Sequence, residues 1–187
     1  TFVSLMNKQT ILPTAFLFFL FCFFLMRFFL FFLSLFLTLP LQATQSVFEY
    51  LTEREGAPLQ LDVDLTTLIN EKKKGNYFAG TLKTQEGEEI AVEVRARGKF
   101  RRIRCDMPPL KLKFSKKSLR SMGLDTLNEV KLVVPCFDDP GSEAGLLREY
   151  AAYKIYEQLA APYAVRARLI RLTIRDNHVE KMYRPVW

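Results

Sequence analysis

Glu89-Ile90-Ala91-Val92-Glu93-Val94-Arg95-Ala96-Arg97-Gly98 is the stretch on which the fold turns. Ile90, Val92, Val94 and Ala96 fall on one side of a pleated strand; Ala91, Glu93, Arg95 and Arg97 fall on the other. A strict period of two marks a strand with one face in a core and one in water, the habit of antiparallel sheets. Gly98 ends the pattern. Upstream, residues 77–84 read as a partner strand, and the turn Gln85-Glu86-Gly87-Glu88 joins the two as a hairpin. Downstream, Leu110-Lys111-Leu112-Lys113-Phe114 repeats the alternation, with both lysines on one face.

Working outward, Leu59-Gln60-Leu61-Asp62-Val63 predicts a further strand, and Asp64 or Thr66 caps a short helix over 67–74 that Gly75 closes. A helical turn is expected near 117–122 and a strand over 130–134. The clearest helix runs from about 143 to 160. Ser142 is its expected N-cap. Leu147, Ala151, Ile155 and Leu159 form its apolar stripe, and Pro162 stops it. Residues 165–175 predict a long strand whose phase changes at Leu169-Ile170, which suggests a bulge. Asn177-His178 is a turn, with 179–183 pairing back. The expected class is α+β: an antiparallel sheet with one main helix packed on it, preceded by an N-terminal hydrophobic signal or transmembrane helix.

That leader separates sharply from the rest. Every residue from Ala15 to Met26 is apolar, Arg27 interrupts, and residues 28–39 are again apolar except for Ser34 and Thr38. Two readings compete. As one transmembrane helix, residues 15–39 are long enough to span a bilayer. The central Arg27 would cost roughly 2.5–3.5 kcal/mol, offset by the many Leu and Phe. Alternatively, translation starts at Met26. Met26-Arg27 is then a positive n-region, 28–39 an h-region, and Leu41-Gln42-Ala43, after the helix-breaking Pro40, a small-residue cleavage site. The second reading accounts for Arg27 and Pro40 together. Either way, residues 1–43 are a signal peptide or membrane anchor. Residues 44–187 are expected across the cytoplasmic membrane (periplasmic or extracellular), or anchored to it if the leader stays uncleaved.

Removing the leader changes the composition. It holds 12 of the 17 Phe and only Lys8 and Arg27 as charges, so the remaining residues carry 25 basic and 20 acidic side chains, a balance of +5. Nucleic acid is disfavoured: no basic tract exceeds Lys72-Lys73-Lys74, and no aromatic RNA-binding motif is present. An anionic membrane surface, a phosphorylated ligand or an unidentified protein partner stays open.

Arg95, Arg97, Lys111, Lys113, Arg166 and Arg168 each sit on the polar phase of an expected strand. Neighbouring strands would gather them into a basic face suited to phosphate or carboxylate; the blander reading is an ordinary wet face. Cys105 and Cys136 flank expected strands. A disulfide is permitted in an exported chain, with two buried free thiols as the alternative. Two cysteines and His178 cannot supply a recognised metal set, so no metal is expected. Asp138-Asp139, before the main helix, cap it or bind a cation. Glu149 on that helix is placed to meet Lys111 or Lys113, as a lysine–glutamate pair does in kinases. No nucleophile–base motif surrounds His178, and no catalytic residue is assigned.

Taken in order, Val94-Arg95-Ala96-Arg97-Gly98, Pro109-Leu110-Lys111-Leu112-Lys113-Phe114, Asp138-Asp139, Leu146-Leu147-Arg148-Glu149-Tyr150-Ala151-Ala152-Tyr153-Lys154 and the strand over 165–172 resemble the N-terminal half of the CotH spore-coat kinase-like family. The resemblance covers about residues 90–175. Lys99-Phe100 stands where that family carries Asn-Ser, and Glu149 where it carries Asn. The resemblance implies an atypical protein kinase fold using ATP and Mg, with the acidic metal-bearing segment beyond Trp187. The chain then reads as a divergent relative, incomplete at the C-terminus. Lys111 and Lys113 would be its phosphate or nucleotide contacts, Arg97 and Arg148 would support them, and Glu149 would orient a lysine. The competing expectation is an exported, bacterial-type envelope domain that binds a partner without catalysis and needs no cofactor.

Overall fold

The computed structural model of the chain describes residues 21, 23–29, 44–160 and 162–186. Two compact units divide it, 1–43 and 44–187. In the first, residues 21 and 23–29 are helical and exposed; most of the segment read as signal peptide or anchor lies outside the described residues. Among those described, no helix is long and apolar enough to cross a membrane.

The second unit is built on a seven-stranded sheet. Its strands are β1 (Pro58–Val63), β2 (Phe78–Lys83), β3 (Glu89–Ala96), β4 (Leu110–Phe114), β5 (Glu129–Leu132), β6 (Arg171–Asp176) and β7 (Lys181–Val186). Five helices join them: α1 (Val47–Leu51), α2 (Leu65–Asn70), α3 (Arg101–Arg104), α4 (Lys116–Ser121) and α5 (Pro140–Ala160). The spatial order is β5-β4-β3-β2-β1-β6-β7. Strands β1 to β5 form an antiparallel meander, each paired with the next in sequence; the β2–β3 link is a tight turn, and the other three links each carry one short helix. After α5 the chain returns to the far side of β1, where β6 runs parallel to it. β7 then pairs antiparallel with β6. The class is α+β, but the sheet is mixed rather than wholly antiparallel. A long crossover is what allows a parallel neighbour to be added.

The alternation in β3 and β4 does what its period requires. Ile90, Val92, Val94 and Ala96 of β3 and Leu110, Leu112 and Phe114 of β4 are buried, while the residues between them are not. The same apolar cluster contains Leu61 and Val63 of β1, Leu82 of β2, and Leu172 and Ile174 of β6. Val47 and Leu51 of α1, Leu65 and Leu68 of α2, and Leu119 of α4 join it, with Leu59, Leu124 and Val134.

Three short helices therefore supply the helical side chains of the core. The main helix does not pack as its sequence pattern suggested. Leu146 is its one buried side chain, and Leu146 lies outside the core cluster. The predicted stripe faces solvent: Leu147 and Ala151 are exposed, Ile155 is 62% exposed and Leu159 81%. The physical reason is occupancy, because α1, α2 and α4 already fill the apolar cluster.

Local chemistry fixes the ends of these elements. Ser46 and Glu49 form a reciprocal capping box on α1. The Ser46 amide and hydroxyl, with Arg166 at 2.6 Å, pull the Glu49 carboxyl down to about 2. Asp64 caps α2 by accepting the Thr67 N–H at 2.9 Å. Asp139 accepts the Ser142 N–H at 2.9 Å and the Ser142 hydroxyl at 2.8 Å. Ser142 is thus inside α5, and Asp139 takes the capping role that the sequence reading offered to both. Those donors hold the Asp139 carboxyl below its ordinary value.

Asp176 ties the parallel pair to α2. Fully buried at the end of β6, its carboxylate accepts the Leu65 N–H at 3.0 Å, the Thr66 N–H at 3.1 Å and the Thr66 hydroxyl at 2.6 Å. The His178 N–H adds a fourth bond at 3.0 Å. Burial alone would raise the acid's pKa; the four donors outweigh it and lower it.

The long strand expected over 165–175 is shorter in the fold. Residues 165–170 are irregular, and pairing starts where Arg171 meets Pro58, the first residue of β1. The register irregularity lies between Leu172 and Ile174 in the β6–β7 pair, three residues later than expected.

Candidate functional site

The strand register decides what the predicted cations can do. Arg95 of β3 lies opposite Lys111 of β4, which lies opposite Lys131 of β5. Three cations thus form one row across neighbouring strands. The next row alternates in sign: Glu93 opposite Lys113 opposite Glu129. Like charges directly opposite repel, and opposite charges on the adjoining row relieve them.

The side chains resolve it that way. Lys111 Nζ is 2.6 Å from Glu129 Oε2, and Lys113 Nζ is 2.8 Å from Glu93 Oε2. Lys111 draws the Glu129 carboxyl below its ordinary value, and Glu93 raises the Lys113 ammonium above its own. Tyr77 lies beneath two of the cations, with the Arg95 guanidinium carbon 4.8 Å and Lys113 Nζ 5.0 Å from its ring centre. The face is basic at its centre, and its two β4 lysines are neutralised by strand neighbours.

The other predicted contacts are dispersed. Glu149 does not meet Lys111 or Lys113; it pairs with Arg101 of α3 at 3.0 Å. Arg148 is exposed on α5. The Arg97 N–H donates to the Pro109 carbonyl at 2.8 Å, which closes the end of the β3–β4 ladder. Arg166 and Arg168 pair with Glu49 and Glu157 at 2.6 and 3.1 Å. They lie off the strands and do not extend the Arg95–Lys111–Lys131 row. His178 sits in its turn 3.7 Å from Asp64. Among the described residues, no group of three or more His, Cys, Asp and Glu could hold a metal ion.

Cys105 and Cys136 are joined by a disulfide, 31 residues apart in sequence. The bond ties the loop after β3 to the segment between β5 and α5. Met107 N–H to the Cys136 carbonyl at 3.2 Å reinforces the junction.

This junction gathers cations that sequence reasoning treated separately. Lys72, just past α2, donates from Nζ to the Cys105 carbonyl at 2.7 Å. Arg102 reaches across Gly75, where a Cβ would stand 3.2 Å from its Nη1. Gly75 has φ +74, a left-handed conformation that glycine adopts without strain. The tract 72–74 and the loop 99–104 are therefore one surface. Lys74 pairs with Glu71 and Arg101 with Glu149, but Lys73, Lys99, Arg102 and Arg104 enter no ion pair among the described residues. Phe100 and Ile103 project between them, 72% and 53% exposed. The clue in sequence was two apolar residues inside Lys99-Phe100-Arg101-Arg102-Ile103-Arg104; the neighbouring lysines required the fold.

A separate cleft of about 200 Å³ lies between α1 and the β2–β3 turn, lined by Tyr50, Glu53, Arg54, Thr84, Glu86 and Glu88 among others. The Tyr50 hydroxyl donates to Glu88, and this bond pushes its pKa up to about 12. The cleft is smaller than ordinary small-molecule sites.

Comparison with protein-family models, with curated proteins and with solved structures finds no match to this chain.

Proposed function

We propose that residues 44–187 form an exported envelope domain that binds a partner through its surface and performs no catalysis as this chain stands. The observation that carries the reading is the Cys105–Cys136 disulfide. Disulfides persist in oxidising compartments and are rare in the cytosol. The apolar leader with Arg27, Pro40 and Ala43 points the same way. The ion pairs fit a binding role, since Lys111, Lys113 and Glu149 are each engaged by a neighbour rather than aimed into a common cavity.

The test is alkylation of the cysteines in cells expressing the full chain, followed by mass spectrometry of the N-terminus. Cys105 and Cys136 are expected to resist a maleimide until reduced, and the mature chain to begin at Thr44. An intact Met26 terminus in the membrane pellet would instead mark an uncleaved anchor. Both thiols free in the native protein would overturn the export reading.

A second reading keeps the kinase-like resemblance, and one observation favours it: the in-register row Arg95–Lys111–Lys131, with Arg95 and Lys113 both over Tyr77. Such a row could receive a polyphosphate if an incoming phosphate displaced Glu93 and Glu129. ATP with Mg²⁺ should then raise the thermal midpoint, and Lys113→Ala should abolish the shift. Absence of any nucleotide-dependent shift removes this reading.

A further inference from the structure

We infer that the disulfide-anchored surface made by Lys72-Lys73-Lys74 and the 99–104 loop is an interfacial contact for an anionic lipid bilayer. The inference rests on the envelope reading above and names the partner. Four features of this surface combine. First, it is strongly positive: Lys73, Lys99, Arg102 and Arg104 make no ion pair among the described residues, and the ammonium of Lys72 is held only by the Cys105 carbonyl. Second, Phe100 and Ile103 stand out from it, 72% and 53% exposed.

Third, the two kinds of group are interleaved. The Arg104 guanidinium carbon is 5.8 Å from the Phe100 ring centre. Cations flanking a projecting aromatic ring match the layering of a bilayer surface, where phosphates lie outside and acyl chains begin a few ångströms deeper. A soluble phosphorylated ligand would use the cations but leave the two apolar side chains in water. Fourth, the loop is held at its base. Cys105 is bonded to Cys136 and α3 is hooked to α5 through Arg101 and Glu149. A tethered loop presents its apolar tip without first having to be ordered.

The charge is also local. Lys111 and Lys113 sit beside Glu129 and Glu93, so the β4 lysines add less to the attraction toward an anionic surface than the loop cations do. This bias would turn the domain to face the membrane with α3 down.

The experiment uses the full chain in vesicles, with Phe100→Trp in a Trp187→Phe background so that position 100 carries the only indole. With or without the leader on the bilayer, quenching by brominated lipid at position 100 reports on the loop itself. Strong quenching is expected in vesicles containing phosphatidylglycerol, and little in pure phosphatidylcholine. Each of Lys73→Glu, Lys99→Glu and Arg104→Glu should weaken the docked state at least about fivefold, the effect of roughly one cation at an anionic surface. Circular dichroism of each variant separates lost docking from lost folding.

A second arm leaves the native tryptophan in place and follows a spin label on Asn76→Cys in a Cys22→Ser background, so that the unaltered Phe100 and Ile103 are tested against Phe100→Ala and Ile103→Ala. An unquenched indole in anionic vesicles overturns the proposal. So does docking that ignores Phe100 and Ile103 and is displaced by inorganic phosphate at matched ionic strength, which would assign the cations to a soluble phosphorylated ligand. Neither outcome touches the export reading, which stands on the alkylation assay alone.

Discussion

Two sets of cations lie on this domain, and they meet opposite fates. On β4 the lysines are regular, periodic and neutralised: Lys111 by Glu129 and Lys113 by Glu93. On the Cys105 loop and the end of α2 the cations are irregular, and several have no carboxylate partner. A pleated ladder brings cross-strand neighbours within reach, so a charge on a strand readily finds its complement. A loop tip offers no such neighbour. Where charge persists unpaired beside exposed Phe and Ile, recognition of an outside partner is the more economical explanation.

The largest expected effect tests what holds the second set in place. Cys105→Ser opens a bridge closing a loop of about 30 residues, for which chain entropy gives roughly 3–4 kcal/mol. Urea unfolding should show that loss, and Cys136→Ser should reproduce it. If neither moves the midpoint, the loop is held by something other than the bond.

Next comes Asp176, a buried carboxylate held by neutral hydrogen-bond donors at the end of β6. Asp176→Asn loses a charged acceptor for two backbone N–H groups of α2 and should cost about 1.5–3 kcal/mol. The sign of the pH dependence follows from its lowered pKa. The carboxylate stabilises the fold fully above its unfolded value, about 3.9, and this is lost as pH falls through the lower folded value. The wild type should therefore weaken below about pH 4 more steeply than Asp176→Asn. Parallel acid profiles would show that the bonds to α2 carry little.

Lys111→Ala should be smaller still. It strips Glu129 of its partner at a partly exposed site, giving a slight destabilisation that shrinks as salt rises. Lys73→Glu and Arg104→Glu should leave thermal stability nearly unchanged, because neither breaks a folded-state ion pair and Arg104 loses only its exposed contact with the Phe100 ring. A clear loss of stability from either would mean that the loop cations are structural after all.

What the sequence disclosed follows the same division. Strand β4 was legible to the residue and β3 to within one, because an alternation of period two needs no knowledge of the rest of the fold. The main helix was legible in place but not in packing. Helical spacing says that Leu147, Ala151, Ile155 and Leu159 share a face; it does not say what covers that face, and in the fold the core is filled by α1, α2 and α4. Helices α1 and α3 went unseen, since one turn carries no periodicity.

The direction of β6 was hidden too, as strand patterns are alike in parallel and antiparallel pairs at short length. For the site, the sign of Lys111 and Lys113 was visible but their partners were not, because Glu93 and Glu129 become neighbours only in register. Cys105 and Cys136 were both in view with their pairing open. That Lys72 would lie against Cys105, 33 residues on, depended on the tertiary fold.

The most direct measurement sets the two cation sets against each other. Full-length chain is reconstituted in phosphatidylglycerol-containing vesicles, and indole quenching at position 100 is compared between Lys111→Gln/Lys113→Gln and Lys73→Glu/Arg104→Glu. The loop pair should abolish quenching, and the strand pair should leave it at the starting level. Quenching lost with the strand pair and kept with the loop pair would contradict the account, and would return the strand lysines to the centre of the protein's function.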